Sequence, residues 1–186
     1  MSYWAVEADM REYYHFGSGY SFALRMAAGH SGGEIPKNYH MGGTYQWLNY
    51  SIERSDVYSI ADIYLSRMVF PLRGYDYFEL TGNSFVLCNM EFRYPFIQYL
   101  NLGFPPITIQ GISGAIFTDI GGVSAEPYDN FRAIEDGKLH DVKMSVGFGM
   151  RSWIWLFSLH YDIAWQTDLM KIAAKPKHCL SLQLEY

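Results

Sequence analysis

Apolar residues along this chain recur at every second position. Val142, Met144, Val146, Phe148 and Met150 share one parity, while Lys143, Ser145, Gly147 and Gly149 hold the other. The next run places Trp153, Trp155, Phe157, Leu159, Tyr161, Ile163 and Trp165 opposite Ile154, Leu156, Ser158, His160, Asp162 and Ala164. Val86–Tyr94, Leu180–Tyr186, Trp4–Met10 and Tyr20–Ala28 follow the same rule, and Ile112–Ile120 follows it with Gly114 and Thr118 as interruptions. No position on the apolar parity of these seven windows is charged. Successive side chains of a strand point to opposite faces, so the pattern predicts seven β-strands, each with one apolar, uncharged face. Only Tyr58 to Leu65 reads as a short helix.

Alternation also fits a soluble sandwich, but three features point to a membrane barrel. Most windows approach or exceed the roughly 9–11 residues that a tilted strand needs to cross a bilayer, against about 5–6 in ordinary globular proteins. The minor parity mixes charge with small residues such as Ser145, Gly147, Gly149, Ser158 and Ala164, as a crowded polar lumen requires. Trp153 and Trp165 bracket one apolar stripe, where interfacial aromatics are expected. The predicted fold is therefore all-β, an antiparallel up-and-down transmembrane β-barrel. Gly17-Ser18-Gly19 and Arg151-Ser152 read as tight turns, and long links run from His30 to about Thr81, Gly122 to Leu139 and Gln166 to Lys177. Short and long connections thus alternate, as turns and loops do at the two ends of such barrels. Ile97 to Gln110, with Gly103-Phe104-Pro105-Pro106, falls on the short side but is longer than a turn needs to be.

Composition narrows the class without changing it. Of the 186 residues, 49% are hydrophobic and 18% charged, which excludes intrinsic disorder. A net charge of -5 argues against nucleic acid as a partner. Mean hydropathy is -0.08, a value that membrane β-strands produce as readily as soluble domains. Cys88 and Cys179 lack the spacing of a disulfide framework or a metal site, and their opposite parities argue against bridging each other. Met1 is not followed by a basic and then apolar stretch of the signal-peptide kind.

The long loop, at about 30–81, carries Pro71-Leu72-Arg73-Gly74-Tyr75 shortly before a strand that opens with Gly82-Asn83. That strand continues as Asn89-Met90-Glu91-Phe92-Arg93-Tyr94-Pro95, and the next contains Phe117-Thr118-Asp119-Ile120-Gly121. Gly147-Phe148-Gly149-Met150-Arg151 and Asp162-Ile163-Ala164 mark the two after it. In order and spacing these motifs resemble the Omp85 superfamily, in its bacterial surface antigen (D15) barrel domain, from about Gly42 to Tyr186. The resemblance implies a bacterial outer-membrane barrel that inserts or translocates proteins or lipids without a cofactor. Its implied partners are outer-membrane lipids, client polypeptides and the barrel-assembly machinery. It also implies that the loop folds back into the lumen, where Arg73, Gly74 and Tyr75 meet the wall near Glu91, Arg93, Phe117, Asp119 and Gly121. Parity agrees with that placement, because Glu91, Arg93, Phe117 and Asp119 all fall on the polar face. Arg73 is expected to donate a two-pronged bond to Asp119, with Glu91 sharing its charge. The stripe Leu180, Leu182, Leu184 and Tyr186 resembles the terminal strand signal of assembled barrels.

Seven strands fall short of the even number, eight or more, found in single-chain bacterial barrels. The family's sixteen-stranded barrel would make this chain its C-terminal half, which also accounts for the missing signal peptide. The other reading hides an eighth strand in the loop, around Tyr45–Ile52 or Ala61–Phe70. Two further functions compete with transport. One is a passive structural or surface-antigen barrel. The other is an outer-membrane hydrolase in which Asp162 orients His160, two positions away on one strand face.

Overall fold

The computed structural model describes residues 2–50, 66–104, 107–125, 132–135, 137–154 and 157–183, with backbone alone at 107–110, 154 and 183. Twelve strands follow in order: β1 (Tyr3–Gly17), β2 (Tyr20–Gly33), β3 (Asn38–Met41), β4 (Ser66–Val69), β5 (Leu80–Gly82), β6 (Ser84–Leu102), β7 (Ile107–Ser124), β8 (Ile134–Glu135), β9 (Lys138–Leu139), β10 (Val142–Ile154), β11 (Phe157–Thr167) and β12 (Lys177–Gln183). Seven of them form one antiparallel sheet in the order β1-β2-β6-β7-β10-β11-β12. These are the seven predicted strands, paired with their chain neighbours. The stretch 58–65, read as a short helix, lies outside the described residues. No helix occurs among the described residues.

The faces divide as the alternation requires. Val6, Met10, Met26, Val86, Ile116, Phe148 and Met150 are exposed on the outer face, while Ala27, Leu87, Asn89, Glu91, Phe117 and Asp119 are buried on the inner one. Among the described residues, Glu12 is the single charged side chain at an outward position of the main strands, and its carboxylate accepts a hydrogen bond from the Tyr14 hydroxyl. Trp4 and Tyr14 lie ten residues apart on the outer face of β1, so they sit about 34 Å apart along the strand, or about 25 Å in height at a usual barrel tilt. That height matches an apolar membrane band with aromatic margins.

The β1–β2 hairpin closes as predicted through Gly17, Ser18 and Gly19, all at positive φ (81°, 54° and 84°), a twist that suits two right-twisted strands. Two connections differ from expectation. Arg151-Ser152 is not a turn: Ser152 pairs with Leu159, Trp153 with Ser158 and Ile154 with Phe157, so β10 runs on to Ile154. Trp153 therefore ends β10 rather than opening the stripe that Trp165 closes. The long link after Ile97 is also strand. β6 and β7 stay paired as far as Leu102 and Ile107, beyond a bulge between Pro95 and Ile97 that breaks the parity and conceals the continuation.

The loop between β2 and β6 has structure of its own. β3 pairs with β4 in parallel and with β5 antiparallel. This small sheet packs on the inner face, and Tyr39, Met41, Val69, Leu72 and Tyr75 form one buried cluster with Ala27, Phe85, Leu87 and Val123 of the wall. Among the described residues of the two candidate segments, none forms a strand of the main sheet. Within 45–50 there are turns and one bridge, Trp47 to Ser181, and within 61–70 the described part is β4 of the small sheet. The loop reaches both margins of the main sheet. Tyr39 Oη donates to Glu7 of β1 (2.9 Å), whereas the Leu48 amide donates to the Leu180 carbonyl of β12 (2.7 Å). Glu91 of β6 and Asp162 of β11 are three strands apart, about 14 Å on a flat sheet at the usual spacing, yet both lie within 3.6 Å of Arg73 Nη1, so the sheet curls around the loop.

Gly121 marks the closest approach of the small sheet: a Cβ there would lie 2.3 Å from Met41 Sδ. Gly121→Val is expected to undock β3 at a cost of about 1–3 kcal/mol. Faster amide exchange in β3, with β1–β2 exchange unchanged, would be the readout; unchanged β3 exchange would contradict this packing.

Candidate functional site

Arg73 lies at the centre of the inner face, held by the loop rather than by a strand. Its guanidinium is almost wholly buried and clasps Asp119 of β7 in a fork, with Nε donating to Oδ2 (2.7 Å) and Nη2 to Oδ1 (2.8 Å). The Arg73 backbone amide donates to the same Oδ2 (3.0 Å), so the carboxylate fixes the loop main chain as well as the side chain. Nη1 donates to Glu91 Oε2 of β6 (2.8 Å) and stands 3.6 Å from Asp162 of β11. The plane of the guanidinium rests on Phe117, its carbon 3.4 Å from the ring centre. Fork, cation–π contact and shared charge thus act on one residue.

The wall supplies the rest of the network. Asn89 Nδ2 donates to Asp119 Oδ1 (2.8 Å) and to the Pro71 carbonyl (2.9 Å), tying the acceptor to the loop. Arg151 bridges Glu91 (3.1 Å) and Asp162 (2.5 Å), and Arg93 donates to the other Glu91 oxygen (2.7 Å). Three guanidiniums (Arg73, Arg93, Arg151) therefore meet three carboxylates (Glu91, Asp119, Asp162). Buried charges are tolerable only when matched and hydrogen-bonded in this way. Burial alone would lower the Arg73 pKa, but the Asp119 carboxylate outweighs it, with Glu91 and Asp162 adding to the pull, and holds it well above the ordinary range.

Small residues make the loop's approach possible. Gly74 adopts φ +88°, and a Cβ there would stand 3.3 Å from both Ala164 and Ser145 Cβ. At Gly147 of β10 a Cβ would come within 2.5 Å of the Phe117 ring that carries Arg73. Gln166 Nε2 donates to the Gly74 carbonyl (2.8 Å) and Tyr75 Oη to the Met144 carbonyl (2.8 Å), which extends the anchorage to β10 and β11. Burial pushes the Tyr75 hydroxyl up to about 12.

The geometry joins Arg73, Glu91, Phe117 and Asp119. Arg93 and Gly121 serve at one remove, the first holding Glu91 and the second making room for Met41. Leu180 and Leu182 lie on the outer side of β12, whose backbone is capped by Leu48 and by Asn49, while Leu184 and Tyr186 lie outside the described residues. Arg151 is hidden in the sequence because Arg151-Ser152 reads as a turn. Continued strand parity would have put it on the inner face. The proposed hydrolase pair does not form: Asp162 is bound by Arg151, and His160 Nε2 meets Ser158 Oγ (2.7 Å) instead. Cys88 and Cys179 are both free, the first on the outer face and the second buried inside. Among the described residues, no three His, Cys, Asp or Glu side chains converge on a metal position. A cavity of about 230 Å³ beside Arg73, lined also by Arg11, Arg25 and His160, leaves room for several waters.

Arg73→Ala leaves Asp119 buried without its cation and is expected to cost about 3–5 kcal/mol of loop docking, whereas Arg73→Lys retains charge but loses the fork and falls between. Amide exchange at Leu72, whose N–H is bonded to the Gly43 carbonyl, reports this; protection equal to wild type in Arg73→Ala would refute the lock. The raised Tyr75 pKa has its own signature. Its folded pKa exceeds the unfolded value of about 10, so its contribution is intact below that pH and is lost as pH rises towards about 12. Loop protection should fall over that window, and Tyr75→Phe should remove that part of the loss.

A family model described as the Omp85 superfamily domain matches residues 1–174. Comparison with curated proteins and with solved structures found no match. The family match spans six of the seven main strands, β1 to β11, with the loop that carries Arg73 and the wall residues that hold it: the protein belongs to the Omp85 superfamily.

Proposed function

We propose that this protein works in the bacterial outer membrane as a barrel that inserts or translocates polypeptides (or lipids), with the Arg73 loop as its internal brace. The observation that carries this reading is the lock itself. A loop of such length, held inside the curl by a matched ionic network, keeps the lumen filled at rest and gives one discrete contact to release. The apolar outer face with aromatic margins supports the membrane location, and outer-membrane lipids are its first partners. Client polypeptides and barrel-assembly machinery are the further partners this role entails. No cofactor enters the scheme, and the work is conformational rather than catalytic.

Within this reading the seven-stranded sheet is the C-terminal part of a larger, sixteen-stranded barrel. Seven is an odd number and below the eight strands of the smallest single-chain bacterial barrels. Cysteines introduced along β1 and β12 provide the check: direct disulfides between those two strands would mean that seven strands close on themselves.

Planar-bilayer conductance of the full-length protein tests the brace. Arg73→Ala and Asp119→Ala are each expected to raise conductance or its fluctuation, because either change frees the same loop. Wild-type behaviour in both variants would favour a passive structural barrel and end the gating role.

A further inference from the structure

We propose that the outlying part of the β6–β7 hairpin lies on the membrane, in the interfacial layer of the leaflet nearest the short turns. The pairing of β6 with β2 ends at Arg93 and Ser21, and that of β7 with β10 ends at Ser113 and Arg151. β6 and β7 nevertheless remain paired with each other out to Leu102 and Ile107. Nine further residues of β6 thus leave the main sheet in a two-stranded ribbon, about 30 Å along the strand.

From Tyr94 to Ser113 there is no Asp, Glu, Lys, Arg or His. Phe96 is 54% exposed, Tyr99 69%, Leu102 40% and Phe104, near the tip, 94%. An uncharged apolar ribbon with no third strand on either outer edge among the described residues is a template for aggregation if it stands in water. The hydrocarbon core is equally unsuitable, since the open edges carry backbone groups that need hydrogen bonds. The headgroup boundary satisfies both demands, taking up aromatic and aliphatic side chains while water reaches the backbone.

Continuity with the outer face identifies a lipid surface, rather than another protein, as the occupant. Aromatic rings run from Tyr20 to Phe92 (6.1 Å between centres), on to Tyr94 (6.5 Å) and then Phe96 (6.2 Å), so the exposed aromatic surface passes from the wall to the ribbon without a break. The bulge between Pro95 and Ile97 sits where the ribbon departs, and bulges bend the strands that carry them. This inference rests on the membrane-spanning reading of the outer face.

The test uses the full-length protein with Cys88→Ser and Cys179→Ser, reconstituted in vesicles of phosphatidylethanolamine and phosphatidylglycerol. Nitroxide labels are placed at Phe104→Cys and Tyr99→Cys, at Ile116→Cys on the outer wall and at Ile35→Cys in the exposed loop. Collision with oxygen and with a water-soluble nickel chelate gives depth. Ile116 should report hydrocarbon, with Phe104 and Tyr99 at an intermediate depth and severalfold less accessible to nickel than Ile35. If Ile116 is in hydrocarbon but Phe104 is as accessible as Ile35, the ribbon projects into water and the proposal fails. Spin–spin broadening between Phe104 labels on different molecules would also overturn it, in favour of pairing with a second copy. Nickel access to Ile116 would remove the membrane-spanning reading and the proposal together.

Discussion

A buried arginine with no carboxylate beside it is among the least tolerable arrangements in a folded protein, and this structure is organised around avoiding it. Arg73 arrives on a loop, where the backbone pair Leu72–Gly43 ties its neighbour to the rest of the loop but not to the wall. Asp119 ties it to the wall, by accepting from the side chain and the backbone amide of the same residue. Glu91, Asp162, Arg151 and Arg93 then exist as a balanced set, in which each charge needs the next. Because those wall residues come from β6, β7, β10 and β11, the network also records the curl of the sheet.

The lock is complemented by an apolar contact of a different kind. Met41, Tyr39 and Leu72 press on Leu87, Phe85 and Val123 with little directional demand, and a fully buried side chain of this type contributes about 1.5–3 kcal/mol. Apolar packing places the loop on the inner face; the ionic network specifies where along that face it stops. This division suits a part that must dock in one position yet be released as a unit. Losing one charged partner affects several others at once, whereas trimming one apolar side chain does not.

Much of this was legible from parity. Alternation alone assigned Glu91, Phe117 and Asp119 to the inner face and Ile116, Phe148 and Met150 to the outer one, because a strand's period of two leaves no freedom once its direction is set. Motif resemblance then paired Arg73 with Asp119. The failures fall where periodicity breaks down. Arg151 was read as a turn for want of an obvious continuation, although no glycine, proline or asparagine stands there to make one. The β6–β7 ribbon was hidden by a bulge that shifts the parity by one residue. The small sheet β3–β4–β5 could not have been read locally, since its strands are only three or four residues long and are stabilised by the wall beneath them. Asp162 illustrates the limit of face assignment: its inner position was foreseen, but its partner is Arg151 across the strand pair rather than His160 along it.

The central claim is that Arg73 and Asp119 act as one unit. A double-mutant cycle on loop docking, read from amide exchange at Leu72 in wild type, Arg73→Ala, Asp119→Ala and the double variant, measures this directly. The account predicts strong coupling, with the double variant costing much less than the two single costs added together, because removing the second partner relieves the charge stranded by the first. Additive costs would contradict it and would mean that the two side chains act on the loop independently rather than as one unit.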